Sequence, residues 1–160
     1  MKYVVANADP QLHPADERIR QILADANAEL IEKECVTEQD VIEFVRSADA
    51  VIAARAPISR AVIERLTNCK VIARPGAGTD NVDHDAATER GIIVVYVPDF
   101  CIEEVSNHTL MFILSCHKKL SQLDKTVRKG NWGFGLLAPM PALGKQTLGL
   151  VGFGRIAQCL

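Results

Sequence analysis

Two glycine-bearing segments hold the residues best suited to chemistry. The first, Arg74-Pro75-Gly76-Ala77-Gly78-Thr79-Asp80-Asn81-Val82-Asp83, follows the apolar run Val71 to Ala73. Glycines that flank one small residue let the backbone approach an anion and aim N–H groups at it, and an arginine offers a two-pronged fork for a carboxylate. Arg74, Gly76, Ala77 and Gly78 are therefore candidates to hold an organic acid. The same loop reads equally as a tight turn whose Asp80 and Asn81 cap the next helix. The second segment, Gly152-Phe153-Gly154-Arg155-Ile156-Ala157, follows Thr147 to Val151 and has the strand, glycine-rich turn and helix start of a dinucleotide fingerprint. Gly152 permits the turn, Gly154 lets a diphosphate come close to a helix N-terminus, and Ala157 permits close helix-to-strand packing. The acidic residue expected about 20 positions further on, at the ribose, would fall past Leu160.

Other chemistries find less support. His13, His84, His108 and His117 show no metal-ligand spacing with one another or with cysteine, and no G-x-S-x-G elbow is present. The five cysteines include no C-x-x-C pair and lie in or beside apolar stretches, so they read as small buried hydrophobes in a reducing compartment. A net charge of -2, with no cluster of Lys and Arg, argues against a nucleic-acid partner. The start MKYVVANADP has an apolar stretch too short for a signal peptide or a membrane span. The expectation is a cytoplasmic protein without a membrane partner.

The elements that must position the two loops can be read from periodicity. Short β-branched runs alternate with amphipathic stretches, the signature of βα units and a parallel sheet. Tyr3 to Ala6, a short run near Leu30 and Ile31, Ala50 to Ala54, Val71 to Ala73 and Ile92 to Val97 are the strands. Asp16 to Leu30 places Ile19, Ile22, Leu23, Ala26 and Leu30 along one helical stripe. Thr37 with Asp40 forms a capping signal ahead of Val41, Ile42 and Val45. Ser59 can cap a short helix to Leu66, and Asp83 to Arg90 predicts another that ends at Gly91. Right-handed crossovers then give an open α/β, doubly wound parallel sheet of the flavodoxin-like kind. From Glu103 one long helix is expected, ending in a cationic turn before Gly130, and 131–144 reads as a loop.

Taken together, VIARPGAGTDNVD, GIIVVYVPDFCIEEVSNHTL and GKQTLGLVGFGRIA resemble successive landmarks of the D-isomer-specific 2-hydroxyacid dehydrogenase family. The VPDFCIEEV stretch is most similar to the branch related to the C-terminal-binding-protein corepressors, with phosphoglycerate dehydrogenases also similar. The resemblance implies a flavodoxin-like substrate-binding domain over 1–98, and over 99–160 the beginning of a Rossmann domain for NAD, with NADP left open. It implies that Arg74 and the backbone of Gly76, Ala77 and Gly78 face a 2-hydroxy or 2-oxo acid, that Ala77 also touches the cofactor, and that Gly152, Gly154, Arg155 and Ile156 lie against the cofactor diphosphate. It suggests a homodimer when full length.

Two departures stand out. Arg55 takes no role from the family, whose substrate-facing residues align with Ala53 or Ala54, and Asn107 stands where the family has Glu before His108. The family's catalytic Arg, Glu and acid/base His belong to the region after the fingerprint. The expectation is that this chain alone is inactive, a portion of an active dehydrogenase. A different class of function, a non-catalytic NAD-sensing corepressor-like protein, is separable by peptide pull-down with and without NAD. A receiver domain would need Asp at the end of the third strand, where Ala54 and Arg55 stand, and a flavodoxin a hydroxyl-rich loop where the chain has Asn7-Ala8-Asp9-Pro10.

Overall fold

The structure is a computed structural model that describes residues 2–133 and 135–160; Met1, and Phe134 within the stretch read as a loop, lie outside the described residues. The chain divides into two compact units, Met1–Phe100 and Cys101–Leu160. In the first, β1 (Tyr3–Asn7), β2 (Ala28–Glu32), β3 (Ala50–Ile52), β4 (Val71–Arg74) and β5 (Ile93–Tyr96) form one parallel sheet in the order β2-β1-β3-β4-β5. This is the flavodoxin-like arrangement, with its switch in strand order at β1 and β3.

Each connecting helix starts where an oxygen-bearing side chain meets an otherwise unpaired amide. Asp16 accepts from Ile19 N ahead of α1 (Glu17–Asp25). Thr37 and Asp40 form a full capping box on α2 (Glu38–Val45). Ser59 accepts from Val62 N at α3 (Arg60–Arg65), and Asp83 from Ala86 N at α4 (His84–Glu89). The α4 cap is thus Asp83, and neither Asp80 nor Asn81 caps it.

The first helix is shorter than its stripe suggests. It ends at Asp25 because Asn27 adopts a left-handed conformation with φ of 53° and turns the chain into β2, where Leu30 pairs with Val5. Asn is among the few residues that take this conformation readily. The spacing of Ala26 and Leu30 from Leu23 is coincidence with a strand.

Strand register decides which side of the sheet is dry. Ile31, Ala6, Val51, Ile72 and Val94 are cross-strand partners in one row, and α2, α3 and α4 press Val41, Val45, Val62, Ile63, Ala86 and Ala87 into the core they build. Ala6, Val51 and Ile72 are fully buried there. Because side chains alternate along a strand, Val5, Ala50, Val71 and Ile93 point the other way. On that side α1 packs along β2, and Ile93 on the edge strand is 62% exposed.

In the second unit the expected single helix is two, α5 (Ile102–His117) and α6 (Leu120–Arg128), separated at Lys119, which is left-handed with φ of 51°. His108 packs edge-on against Phe112 with ring centroids 4.5 Å apart. A 3-10 turn at Leu143–Lys145 precedes residues 147–151, which pair with no strand among the described residues, and Val151 is fully exposed. The short α7 (Arg155–Cys159) follows.

Candidate functional site

In an open parallel sheet the ligand-bearing loops stand at the carboxyl ends of the strands. Three such loops of the first unit are bound into one structure, starting at Asn7, the last residue of β1. Asn7 is buried, accepts a hydrogen bond from Asp9 N at 3.1 Å, and donates to His13 O at 2.9 Å and Glu32 Oε1 at 3.3 Å. The Asp9 side chain, also buried, crosses to the loop after β3. There it accepts from Ala54 N (2.7 Å), Arg55 N (3.1 Å) and Ala56 N (3.0 Å).

The loop after β3 is in turn joined to the loop after β4. Asn81 Nδ2 donates to Ala56 O at 3.0 Å, Ile58 N donates to Asn81 O at 2.8 Å, and Asp83 N donates to Ile58 O at 2.9 Å. Ile58 and Val82 form a parallel bridge at this seam.

Within the loop after β4, the predicted site residues take different parts. Gly76 is buried, and a Cβ built on it would lie 1.5 Å from an Arg74 guanidinium nitrogen. A side chain here would displace the Arg74 guanidinium, which lies where the Cβ would go. The Gly76 N–H donates to Arg74 O at 2.8 Å and its carbonyl accepts from Val97 N at 3.0 Å, so its backbone is already engaged. Ala77 and Gly78 are exposed, and no hydrogen bond among the described residues uses their N–H groups. A Cβ on Gly78 would make only ordinary contact, 3.6 Å from Asp80 Oδ2. Arg74 is half-buried, and its Nε is shielded from solvent without a hydrogen-bond partner. The bend therefore offers two free amides beside a guanidinium with unused donor capacity, a composition suited to a carboxylate. A cavity of about 260 Å³ on the α1 side of the sheet is lined by Asn7, Ile19, Ala73, Arg74 and Val95.

The Gly152 turn lies in the second unit. Gly152 has φ of 88°, a conformation that side chains rarely adopt, and Gly154 is the N-cap of α7, ahead of Arg155 and Ile156. Beyond the adjoining residues of the chain, no heavy atom among the described residues lies within 4 Å of where a Cβ would stand on either glycine. Among the described residues no group of three His, Cys, Asp or Glu side chains could hold a metal ion, and no helix is long and apolar enough to cross a membrane.

The family model described as the catalytic domain of D-isomer specific 2-hydroxyacid dehydrogenases matches residues 8–154. The chain belongs to this family. Among curated members, a D-3-phosphoglycerate dehydrogenase of Methanocaldococcus jannaschii is 36% identical over 124 residues, covering 77% of this chain and 24% of that protein. A hydroxypyruvate reductase of Thermotoga maritima is 30% identical over 146 residues, covering 91% of this chain and 47% of that one. Among solved structures of the same fold, D-lactate dehydrogenase from Aquifex aeolicus, complexed with NAD and lactic acid, superimposes with a TM-score of 0.77 at 23% identity. That match covers 98% of this chain and 46% of the other. This family member therefore spans less than half the length of these relatives.

Sequence reasoning missed Asp9 and Asn81 as parts of the site. Their signal was modest: each is a polar residue in a loop that follows an apolar strand at the ligand-bearing edge, and Asn81 also read as part of a turn or cap. Arg55, which took no role from the family, is exposed, with only its backbone N–H tied to Asp9.

Proposed function

We propose that this chain supplies the acid-binding loop and the cofactor turn of an NAD-dependent D-2-hydroxyacid dehydrogenase. The reaction moves hydride between the CH–OH carbon of the acid and the nicotinamide. The observation that carries the reading is the bend at Arg74–Gly78, with its two uncommitted amides and its guanidinium at the carboxyl edge of the sheet, in a chain of this family. Residues 1–98 form the substrate-binding domain, where Ala77 N–H, Gly78 N–H and Arg74 hold the carboxylate of a 2-hydroxy or 2-oxo acid. Gly76 gives the Arg74 guanidinium its place and Ala77 also meets the cofactor. Residues 99–160 begin the cofactor domain.

Gly152, Gly154, Arg155 and Ile156 fit a diphosphate, because both glycines leave open the room a side chain would fill. NAD, when bound, supplies the hydride acceptor. NADP fits the same turn, which meets the diphosphate that both cofactors share. The 160 residues alone bind ligands without turning them over, since among the described residues 147–151 pair with no strand and so give the cofactor turn no sheet to stand on. A cytoplasmic setting accords with five free cysteines, and a homodimer of the full-length protein rests on the family resemblance.

Titration of the isotope-labelled chain, followed by amide NMR, tests this. Glyoxylate should move the Ala77 and Gly78 amides, and NAD those of Gly152 and 154–156. Shifts confined to other residues would reject the assignment. Oxidation of NADH with glyoxylate or hydroxypyruvate by the purified chain would reject the claim that it is inactive alone.

A further inference from the structure

The three N–H groups of Ala54, Arg55 and Ala56 converge on one point, as successive backbone amides do where proteins bind anions. Here the anion is internal. Asp9 fills this nest from the end of β1, is only 3% exposed, and has no cationic side chain paired with it among the described residues. Its backbone N–H is held in turn by Asn7 Oδ1. The far side of the nest continues into the acid-binding bend, because the carbonyl of Ala56 takes the Asn81 amide and Ile58 exchanges backbone hydrogen bonds on either side of Val82.

We propose that Asp9 is a positioning residue for the acid-binding bend, acting through Ala56 and Asn81. It occupies an amide cluster that could itself capture a carboxylate, so the substrate acid meets its donors at Ala77, Gly78 and Arg74. It also sets the loop after β3 at the height where Asn81 can tie down the loop after β4. The proposal rests on the reading of Ala77 and Gly78 as the acid site.

The physical consequence is non-additivity. Asp9 and Asn81 act in series on one bend, so removal of either should release it, and removal of both should do little more. Glyoxylate affinity, read from the Ala77 and Gly78 amide shifts of the 160-residue chain, should fall at least fivefold in Asp9→Ala and in Asn81→Ala. The double variant should lie within twofold of the weaker single. In Asp9→Ala the amides of 54–56 should themselves respond to glyoxylate, and in the unaltered chain they should not. Asp9→Asn keeps one acceptor oxygen in the nest and should recover part of the affinity. If Asp9→Ala does not fold, Asp9→Asn and Asn81→Ala, singly and together, give the same cycle. Independent, multiplicative losses, or variants that keep wild-type affinity with an intact fold, would overturn the role of Asp9. Absence of any shift at Ala77 and Gly78 in the unaltered chain would instead overturn the acid site on which it rests.

Discussion

The two glycines of the bend at Arg74–Gly78 serve different ends. At Gly76 a guanidinium nitrogen lies 1.5 Å from the missing Cβ, yet that nitrogen is the far end of a flexible side chain. Gly76→Ala should therefore leave stability within about 1 kcal/mol of wild type, below the usual cost of core overpacking, while it drives Arg74 out of the bend and weakens glyoxylate binding. Thermal melting and amide titration read the two effects separately. Gly78, with ordinary contact to Asp80 and no left-handed backbone, should accept alanine within about 0.5 kcal/mol. A loss of glyoxylate binding in Gly78→Ala then reports room taken from the ligand. Gly152 is the contrasting case: at φ of 88° an alanine is strained, and its substitution should cost about 1–2 kcal/mol locally, visible as faster amide exchange over 152–156.

The helices of the first unit are held at their starts. Thr37→Ala removes the capping box of α2 and should lower stability by about 1 kcal/mol at neutral pH, measured by urea unfolding. The same cap makes a pH prediction. Hydrogen bonds from Thr37 hold the Asp40 carboxyl below its ordinary value; the Arg20 guanidinium does the same for Glu32, and Arg60 for Glu89. A carboxyl whose folded value is depressed stabilises the fold fully above its unfolded value and loses that contribution as pH falls through the folded one. Stability should therefore be flat near neutrality and decline below about pH 4.5, where unfolded carboxyls begin to take up protons. High salt should flatten the part owed to Arg60 and Glu89, which meet on the surface.

Across the molecule, the dry side of the sheet and the sparsely covered side have separate consequences. Cys35 and Cys69 lie in the core, and burial pushes both thiols up, whereas Cys116 and Cys159 are exposed. A thiol-specific chromogenic reagent should label Cys116 and Cys159 quickly and Cys35 and Cys69 only at the rate of opening. On the α1 side, Ile93, Val95 and Tyr3 are 62%, 44% and 61% exposed. Ile93→Lys, on the edge strand, should reduce concentration-dependent light scattering without lowering the melting temperature.

Much of this was written locally. Strands of alternating β-branched residues, four helix starts marked by Asp16, Thr37, Ser59 and Asp83, and the two glycine bends all follow from spacings within a few residues, and with right-handed crossovers these led to the strand order β2-β1-β3-β4-β5. Local spacing misjudged Asn27 and Lys119, where one backbone angle matters more than a pattern, and also 147–151, which pair with no strand among the described residues, and Cys116 and Cys159, which are exposed. What tertiary structure alone decided is how the amides and carboxylates of distant segments are shared. Asp9 meets Ala54 across 45 residues because β1 pairs with β3, and the Asn81 amide reaches the Ala56 carbonyl across 25. Which donors remain for a ligand depends on every such pairing at once, and no window of sequence contains both partners.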